Sequence, residues 1–382
     1  MSDISDKIFI AVKNSGTLKK LLDSESFIIK VAKDISNVLE EIEKFLPDLI
    51  IMQTNLKNIS GYDICYKLKQ NEKTQHIIIL LLSEENNAQE RIKASIAGAD
   101  DLLEKDFDSL VLISKIKSLM RIKYLRIQLQ EKYLELEEQN KIIAKQLKMA
   151  QNLQKLLIPE INLETEKIVI YSKYLPAMYI GGDFYNVIKL KEDRFCIIIG
   201  DVSGHGISAA LLTAMLTNMI KNIVKSSSKP NKILDKLNKE FISAVNTNEI
   251  YACVFVAIID TTAKKIFYSN AGQPIPIFIS NNETHELFSS GTPVGLMNDS
   301  VYESKSVNYE SGDKIFFHTD GLADNFCRND SEKFSNELKK ILAKKSTNVI
   351  HIAQNVLEKF YYNIDGNKYE FDDASLIICK LI

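Results

Sequence analysis

A run of sixty residues without proline or glycine, from Ala99 to Ile158, limits how this chain can fold more than any other feature. Charged and long aliphatic residues dominate the run, so it predicts one continuous helix, which Pro159 ends. A helix from Ser109 to Ile158 would be about 75 Å long, too long for one compact domain. The run therefore divides the chain into three parts, which we place at 1–108, 109–158 and 159–382.

The predicted helix carries an apolar heptad repeat. One core position reads Ile122, Leu129, Leu136, Ile143, Ala150 and Leu157, and the other reads Leu119, Arg126, Tyr133, Asn140, Leu147 and Gln154. One apolar seam and one mixed seam predict a weak coiled coil. Because a rod cannot bury its own seam, we expect a parallel homodimer through this helix. A helix packed against the chain's own domains is the alternative.

Before the helix, short apolar runs alternate with helical patterns. The runs typical of strands are Lys7–Val12, Phe27–Val31, Leu49–Met52, Ile77–Leu82 and Asp101–Leu103. The helical patterns between them are Gly16–Leu22, Ile35–Phe45, Tyr62–Lys69 and Ala88–Ala97. Near-continuous aliphatic content in the third and fourth runs predicts strands buried on both faces. Five such units predict a doubly wound parallel sheet.

After Pro159 the chain becomes rich in strands. The predicted strands are Lys167–Tyr174, Phe184–Leu190, Phe195–Gly200, Tyr251–Asp260, Lys265–Asn270, Pro276–Ser280, Lys314–His318 and Ala374–Leu381. The predicted helices are Ile207–Val224, Asn231–Val245, Glu332–Lys344 and Val349–Tyr362. Because strands and helices each come in runs, we expect two packed sheets with helices outside.

Four acidic positions in this last part share one context, since each lies at the end of a predicted strand or in the turn beside it. They are Asp183 in GGDFYN, Asp201 in GDVSGHG, Asp320 in HTDGLAD, and Asp372 or Asp373 in FDDASLII. Carboxylates are hard oxygen ligands that suit Mg²⁺ or Mn²⁺. Two such ions about 3.5–4 Å apart generate hydroxide from bound water near neutral pH, and that hydroxide can attack phosphorus in line. If the four strand ends converge, the pattern fits metal-dependent phosphoester hydrolysis, whereas each Asp–Gly pair taken alone fits a simple turn.

The motifs GGDFY, GDVSGHG, TDGL and DDASL, in this order, resemble the SpoIIE-like branch of the bacterial metal-dependent PPM protein phosphatases. The resemblance implies an α/β/α sandwich with a binuclear Mn²⁺ or Mg²⁺ centre. It implies that Asp201 bridges both metals and that the backbone carbonyl of Val202 is a further ligand. Asp320 and Asp372 would hold the second metal, and Asp183 would bind directly or through water. Asp373 stays open as the alternative to Asp372.

For several residues near these motifs, the sequence allows more than one role. His205 fits either a general acid for the leaving group or a structural loop, whereas His318 is expected to be a packed neighbour of the site. Asn186 and Gln273 depart from the family's pattern and concern substrate contacts rather than metal binding. The letters GGDF at Gly181–Phe184 also occur in diguanylate cyclases, but nothing downstream fits such an enzyme.

The segments PDLIIMQTNLKNISGYDICYKLK and AGADDLLEKDF resemble the third- and fifth-strand regions of response-regulator receivers, which have a flavodoxin-like fold. Receivers need an acidic pair after the first strand and a phosphate-accepting aspartate after the third. This chain has Lys13 and Asn14 at the first place and Gln53 at the second, and only Ser83 and Lys105 match. An amide cannot form an acyl phosphate. We therefore predict a pseudo-receiver that binds or senses something without being phosphorylated there.

The two resemblances together imply a Mn²⁺- or Mg²⁺-dependent protein serine/threonine phosphatase, regulated through the N-terminal domain and the helix. Its substrate would be a phosphorylated signalling protein such as an anti-sigma-factor antagonist. The alternatives are a catalytically silent scaffold that binds phosphoproteins and a phosphatase of a small phosphorylated metabolite.

Composition and charge argue against several classes of protein. The formal net charge of −2 gives no general attraction to nucleic acid or to an anionic membrane. The longest aliphatic run, Ile77–Leu82, is far shorter than a membrane span, and the N-terminus does not resemble a signal peptide. The five cysteines are scattered, without a CxxC pair. We therefore expect no disulfide framework or zinc site, and a reducing cytoplasm.

Overall fold

The computed structural model describes residues 6–13, 15–23, 25, 27–56, 59–85, 87–191, 193–204, 206–246, 249–327, 331–344, 348–362 and 372–382. The chain forms two compact units, residues 1–140 and 141–382. Their boundary falls inside the long helix, so the division at residues 108 and 158 stays a prediction.

The first unit is a doubly wound α/β domain. Its strands are β1 (Lys7–Ala11), β2 (Ile28–Val31), β3 (Leu49–Gln53), β4 (Asn55–Leu56), β5 (Ile59–Ser60), β6 (Ile78–Ser83) and β7 (Asp101–Glu104). Its helices are α1 (Ser15–Asp23), α2 (Val38–Phe45), α3 (Gly61–Gln70) and α4 (Ala88–Ile96). Five strands form a parallel sheet in the order β2-β1-β3-β6-β7, which confirms the predicted architecture.

Apolar side chains bury both faces of this parallel sheet. Phe9 and Ile50 pack on one side with residues of α2 and α3, whereas Ile10 and Ile51 pack on the other side with residues of α1. Successive strand residues point to opposite faces, so a strand covered by helices on both sides needs an unbroken apolar run. The aliphatic runs of β3 and β6 meet that need.

Helix α5 (Ser109–Leu157) is one continuous helix of 49 residues, as predicted. Its first turns bury Leu112, Ile116, Leu119 and Met120 in the core of the first unit. Beyond them the apolar seam is open to solvent, with exposed fractions of 46%, 72%, 55% and 52% at Ile122, Leu129, Leu136 and Ile143. Packing against the chain's own domains therefore leaves the middle of the seam uncovered.

The second unit is a sandwich of two antiparallel sheets. Its strands are β8 (Asn162–Glu164), β9 (Ile168–Leu175), β10 (Asp183–Lys189), β11 (Arg194–Val202), β12 (Ala252–Asp260), β13 (Lys265–Ala271), β14 (Ile277–Ser280), β15 (Glu283–Glu286), β16 (Lys305–Asn308), β17 (Lys314–His318) and β18 (Ala374–Leu381). The front sheet has the order β10-β11-β12-β13-β16, and the back sheet has the order β15-β14-β17-β18-β9-β8. The rings of Phe255 and Phe317, 5.9 Å apart, join the two sheets in the core.

Helices cover the outer faces of the sandwich. They are α6 (Ile207–Ser226), α7 (Pro230–Val245), α8 (Gly321–Cys327), α9 (Ser331–Leu342) and α10 (Val349–Leu357). Helices α6 and α7 pack on the front sheet, and α8 and α10 pack on the back sheet. The layer order is helix, sheet, sheet, helix, which is the PPM type of fold that the resemblance implied.

Helix α6 is the one helix within the described ranges that is long and apolar enough to cross a membrane. Core helices pass the same test, and 39% of its apolar window is buried in the protein. Its buried residues, among them Leu216 and Ile220, pack against the front sheet.

Candidate metal centre

Asp183 and Asp201 are directly opposite each other on the antiparallel strands β10 and β11. Asp183 is 1% exposed, and its Oδ2 accepts a hydrogen bond of 2.7 Å from the Thr319 hydroxyl. Its Oδ1 forms no hydrogen bond with a described residue, although the Ser375 hydroxyl is near enough to lower the pKa of Asp183 slightly. Burial, followed by the charges of Asp201 and Asp373, raises the pKa of Asp183 well above its ordinary value. A buried carboxylate oxygen is thus left for another partner.

Asp201 lies at the centre of the acidic cluster. Burial, followed by the charges of Asp320, Asp372 and Asp373, raises the pKa of Asp201 to about 8. A Cβ placed on Gly182 would come within 3.0 Å of Asp201 Oδ1 and 3.1 Å of the Val202 carbonyl oxygen. These two oxygens therefore face the same space beside Gly182.

Asp320 and Asp372 lie at the same end of the back sheet. Asp320 follows β17 and precedes α8, whereas Asp372 precedes β18. The Asn325 amide fixes the Asp372 backbone, donating to its carbonyl at 3.0 Å and accepting from its N–H at 2.7 Å. Burial, followed by the charges of Asp372 and Asp324, raises the pKa of Asp320 to about 6. Asp320 is an exposed residue, so water weakens the burial contribution.

Asp373 has different surroundings from Asp372. Asp373 is 6% exposed, and its carboxylate accepts hydrogen bonds from the backbone N–H groups of Ala177 at 2.8 Å and Gly182 at 2.6 Å. A Cβ on Gly181 would lie 2.0 Å from this carboxylate, so the loop requires glycine there. Asp372 is exposed at the cluster, and its Oδ1 accepts from the Asp373 N–H at 2.8 Å.

The acidic cluster has the donors that a hard divalent cation needs. Carboxylate and carbonyl oxygens are the ligands that Mg²⁺ and Mn²⁺ prefer, and one oxygen of Asp183 has no other bond. Within the described ranges, however, no three His, Cys, Asp or Glu side chains are arranged to hold one ion. The aspartates are near enough to raise one another's pKa without meeting at one point.

The histidines and the glutamine noted near the motifs differ in their surroundings. His205 lies outside the described residues. His318 is 7% exposed, its ring packs against Phe316 and Phe334, and burial lowers its pKa. Gln273 is buried and donates to the His318 carbonyl at 3.4 Å, so it supports the strand before Asp320.

Gln154, in the last turn of α5, is a site residue that the heptad pattern concealed. Its side chain is buried and donates to the Gly181 carbonyl at 2.8 Å, while its Oε1 accepts from the Gly181 N–H at 3.3 Å and the Tyr174 hydroxyl at 3.4 Å. The only sequence signal was a polar residue at a predicted apolar core position. The end of the helix is therefore bonded to the loop that carries Gly182 and Asp183.

The receiver-like site lies where the parallel strands of the first unit end. Gln53 ends β3 and is 7% exposed, and its Oε1 accepts from the Lys13 N–H at 3.0 Å. Ser83 ends β6, and its hydroxyl donates to Glu90, as the Tyr62 hydroxyl also does. Asn14 lies outside the described residues. Sequence reasoning did not identify the Tyr62 and Glu90 contacts.

Comparisons with known proteins agree with this architecture. Residues 191–382 match the family model of Stage II sporulation protein E (SpoIIE), and residues 12–117 match the response regulator receiver domain. Phosphoserine phosphatase RsbP of Bacillus subtilis (strain 168) is 30% identical over 184 residues, which are 47% of this chain and 45% of that protein. Phosphoserine phosphatase RsbU of the same strain is 26% identical over 191 residues, which are 50% of this chain and 56% of that protein.

A solved structure shows the same fold. The PP2C phosphatase domain of SpoIIE from Bacillus subtilis, with a fragment of its regulatory domain, has a TM-score of 0.51 at 18% identity and covers 57% of this chain and 64% of that chain. The chain spans about half the length of the curated relatives it matches. The SpoIIE model matches half of the chain, and this protein therefore belongs to the SpoIIE family, with a response-regulator receiver domain at its N-terminal side.

Proposed function

We propose that this protein is a metal-dependent phosphatase that hydrolyses phosphoserine or phosphothreonine on another protein. The observation that supports the proposal is the cluster of Asp183, Asp201, Asp320 and Asp372 at one end of the sandwich. Carboxylates held this close repel one another unless cations neutralise them. A pair of Mn²⁺ or Mg²⁺ ions held here would lower the pKa of bound water and supply a nucleophile near neutral pH.

Each residue of the cluster has a role in this proposal. Asp201 Oδ1 and the Val202 carbonyl, which face the same space, would hold one ion together, and Asp201 would also be a ligand of the second. Asp320 and Asp372 would hold the second ion. Asp183 offers its free Oδ1, directly or through water, while Thr319 fixes its other oxygen. The ionised form of each carboxyl is the one that binds, so cations must compete with protons at Asp201.

A phosphorylated protein is the proposed substrate because the relatives RsbP and RsbU are named phosphoserine phosphatases. Within that class, the family resemblance favours an anti-sigma-factor antagonist or a similar small signalling protein. A phosphatase of a small metabolite is the alternative. Rates on a phosphoserine protein and on free phosphoserine discriminate the two, since a metabolite phosphatase would prefer the free compound.

The test of the chemistry is the Asp320→Asn variant of the full chain. We expect a loss of Mn²⁺-dependent hydrolysis of a phosphoserine protein of at least about a hundredfold, with an unchanged circular dichroism spectrum. Asp299→Asn, an exposed position between β15 and β16, is the matched control and should keep full activity. Wild-type activity in Asp320→Asn would refute the metal assignment. A wild-type protein that binds no Mn²⁺ in calorimetry would favour a silent scaffold.

The receiver domain is proposed to act without phosphorylation at its usual position. The Gln53 amide is held by the Lys13 N–H, and an amide cannot form an acyl phosphate. Incubation with acetyl phosphate followed by intact-mass measurement should show no added mass at this site. A phosphate that maps to the residues around Gln53 would contradict the proposal.

Helix α5 is proposed to form a parallel homodimer and to link regulation to the metal centre. The exposed seam supports the first part, and the bonds between Gln154 and Gly181 support the second. Leu136→Lys should shift the protein toward monomer in analytical ultracentrifugation, because a charge would enter the seam. Glu138→Lys, an exposed position off the seam, is the control. Equal sedimentation of both variants and wild type would exclude this dimer.

A further inference from the structure

A cavity of about 640 Å³ opens at the end of the front sheet that is farthest from the metal centre. Strands β10 and β11 pair Asp183 with Asp201 at one end and Lys189 with Phe195 at the other. Six residues of strand separate the two places by about 20 Å. One wall of the cavity consists of residues 188–191 at the end of β10 together with Arg194, and the other is the end of α6 with the three serines around it. The cavity is therefore separate from the acidic cluster.

The charged side chains that the described residues contribute to this cavity are all basic: Lys189, Lys191, Arg194 and Lys225. Asp260 holds Arg194 through an ion pair of 2.7 Å. Lys191 and Lys225 form no ion pair with a described residue. Lys189 attracts the Asp193 carboxylate only through a longer-range charge interaction, because Asp193 forms its ion pair with Lys167. Glu192 lies outside the described residues. In a chain of net charge −2, three lysines that form no ion pair with any described side chain are a marked local excess of positive charge.

Hydroxyl and apolar groups line the same cavity. The Ser226 hydroxyl donates to the Ile223 carbonyl at 2.9 Å and accepts from Lys236 Nζ at 3.1 Å, whereas the hydroxyls of Ser227 and Ser228 bond to no described residue. Apolar side chains complete the lining: Ile188, Leu190 and Val224. The C-terminal end of α6 borders the cavity and disfavours an anion, so the attraction has to come from the basic side chains. The cavity thus combines donors for an anion with a surface for an apolar group.

We propose that this cavity binds a small phosphate-bearing ligand with an apolar part, of the nucleotide class. The three lysines would contact phosphate oxygens, for which ammonium groups are strong hydrogen-bond donors. The hydroxyls of Ser227 and Ser228 would add neutral donors, and the apolar side chains would contact the base. A volume of about 640 Å³ is within the range of small-molecule sites.

Calorimetric titration of the full chain with ATP, pyrophosphate and adenosine, in EDTA so that no metal contributes, tests the proposal. We expect ATP to bind, pyrophosphate to bind more weakly, and adenosine to bind weakest. Because a hydrogen bond to a charged group contributes about tenfold or more in affinity, Lys189→Ala with Lys225→Ala should weaken ATP binding by at least about thirtyfold. Lys239→Ala, on α7 and outside the cavity lining, should leave it unchanged.

Three outcomes would overturn the proposal. They are no ATP binding to the wild type at about 5 mM, equal ATP affinity in the double variant and the wild type, and loss of ATP binding in Asp320→Asn. The last would place the nucleotide at the metal centre. Because binding is measured without metal or hydrolysis, a failure here is distinguishable from a failure of the proposed phosphatase activity.

Discussion

Replacing Asp373 by asparagine should destabilise the second unit, whereas the same change at Asp372 should remove metal binding without loss of stability. The Asp373 carboxylate accepts from two backbone N–H groups, at 2.6 and 2.8 Å, and is buried. An asparagine keeps one acceptor oxygen and turns an NH₂ group toward the second N–H. Asp372 is exposed, and an asparagine oxygen can still accept from the Asp373 N–H.

The magnitude follows from these contacts. A hydrogen bond to a charged group contributes about 1.5–3 kcal/mol, and the N–H left facing a donor adds to the loss. Removing the Asp373 charge also relieves repulsion with Asp183 and Asp201, which offsets part of it. We expect a net loss of about 2 kcal/mol in the free energy of unfolding, or about 4–8 °C in Tm for a domain of this size. Asp372→Asn should change stability by no more than about 0.5 kcal/mol.

Thermal unfolding in EDTA measures the stability of both variants, and calorimetric titration with Mn²⁺ measures metal binding. Asp373→Asn should unfold earlier and still bind Mn²⁺, whereas Asp372→Asn should unfold with the wild type and lose at least one Mn²⁺. The assignment of the two aspartates is wrong if Asp372→Asn proves the less stable protein, or if Asp373→Asn alone loses the metal.

Three further changes have defined outcomes. Gly321→Ala places a Cβ 1.8 Å from the Asp373 carbonyl oxygen, so we expect a loss of about 3 kcal/mol or more in denaturant unfolding, whereas Gly16→Ala, with open space around it, should have little effect. Gln154→Leu leaves the Gly181 N–H and C=O without their partner, and amide hydrogen exchange at Gly181 should rise by about tenfold or more; unchanged exchange would show that this contact does not hold the loop. Mn²⁺ at about a hundred times its Kd should stabilise the wild type by about 2.7 kcal/mol per site, and a Tm independent of Mn²⁺ would contradict a metal centre.

The sequence predicted those helices and strands whose burial requires a regular spacing of apolar residues. The aliphatic runs of β3 and β6 and the long helix α5 were found as predicted. The short strands β4, β5, β8, β15 and β16 were not predicted, because edge strands such as Glu283–Glu286 are polar and carry no apolar alternation. Helix α8 was also missed, since Asp320-Gly321 has the composition of a turn.

The candidate site was predictable as a set of aspartates and not as a set of contacts. The order of the motifs indicated Asp183, Asp201 and Asp320, but the different environments of Asp372 and Asp373 depend on N–H groups almost 200 residues away in the sequence. The bonds between Gln154 and Gly181 likewise join distant segments. No local pattern encodes such pairings.

The uninterrupted length of α5 restricts how its exposed seam could change during evolution or engineering. Each residue turns an α-helix by about 100°, so seven residues return a side chain to nearly the same face. Inserting or deleting seven residues between Leu129 and Leu136 would keep the seam continuous, whereas inserting two would turn the following half by about 200°. Viable length variants of this helix should therefore differ in steps of seven residues, and other N-terminal domains should be joined to it in the same steps.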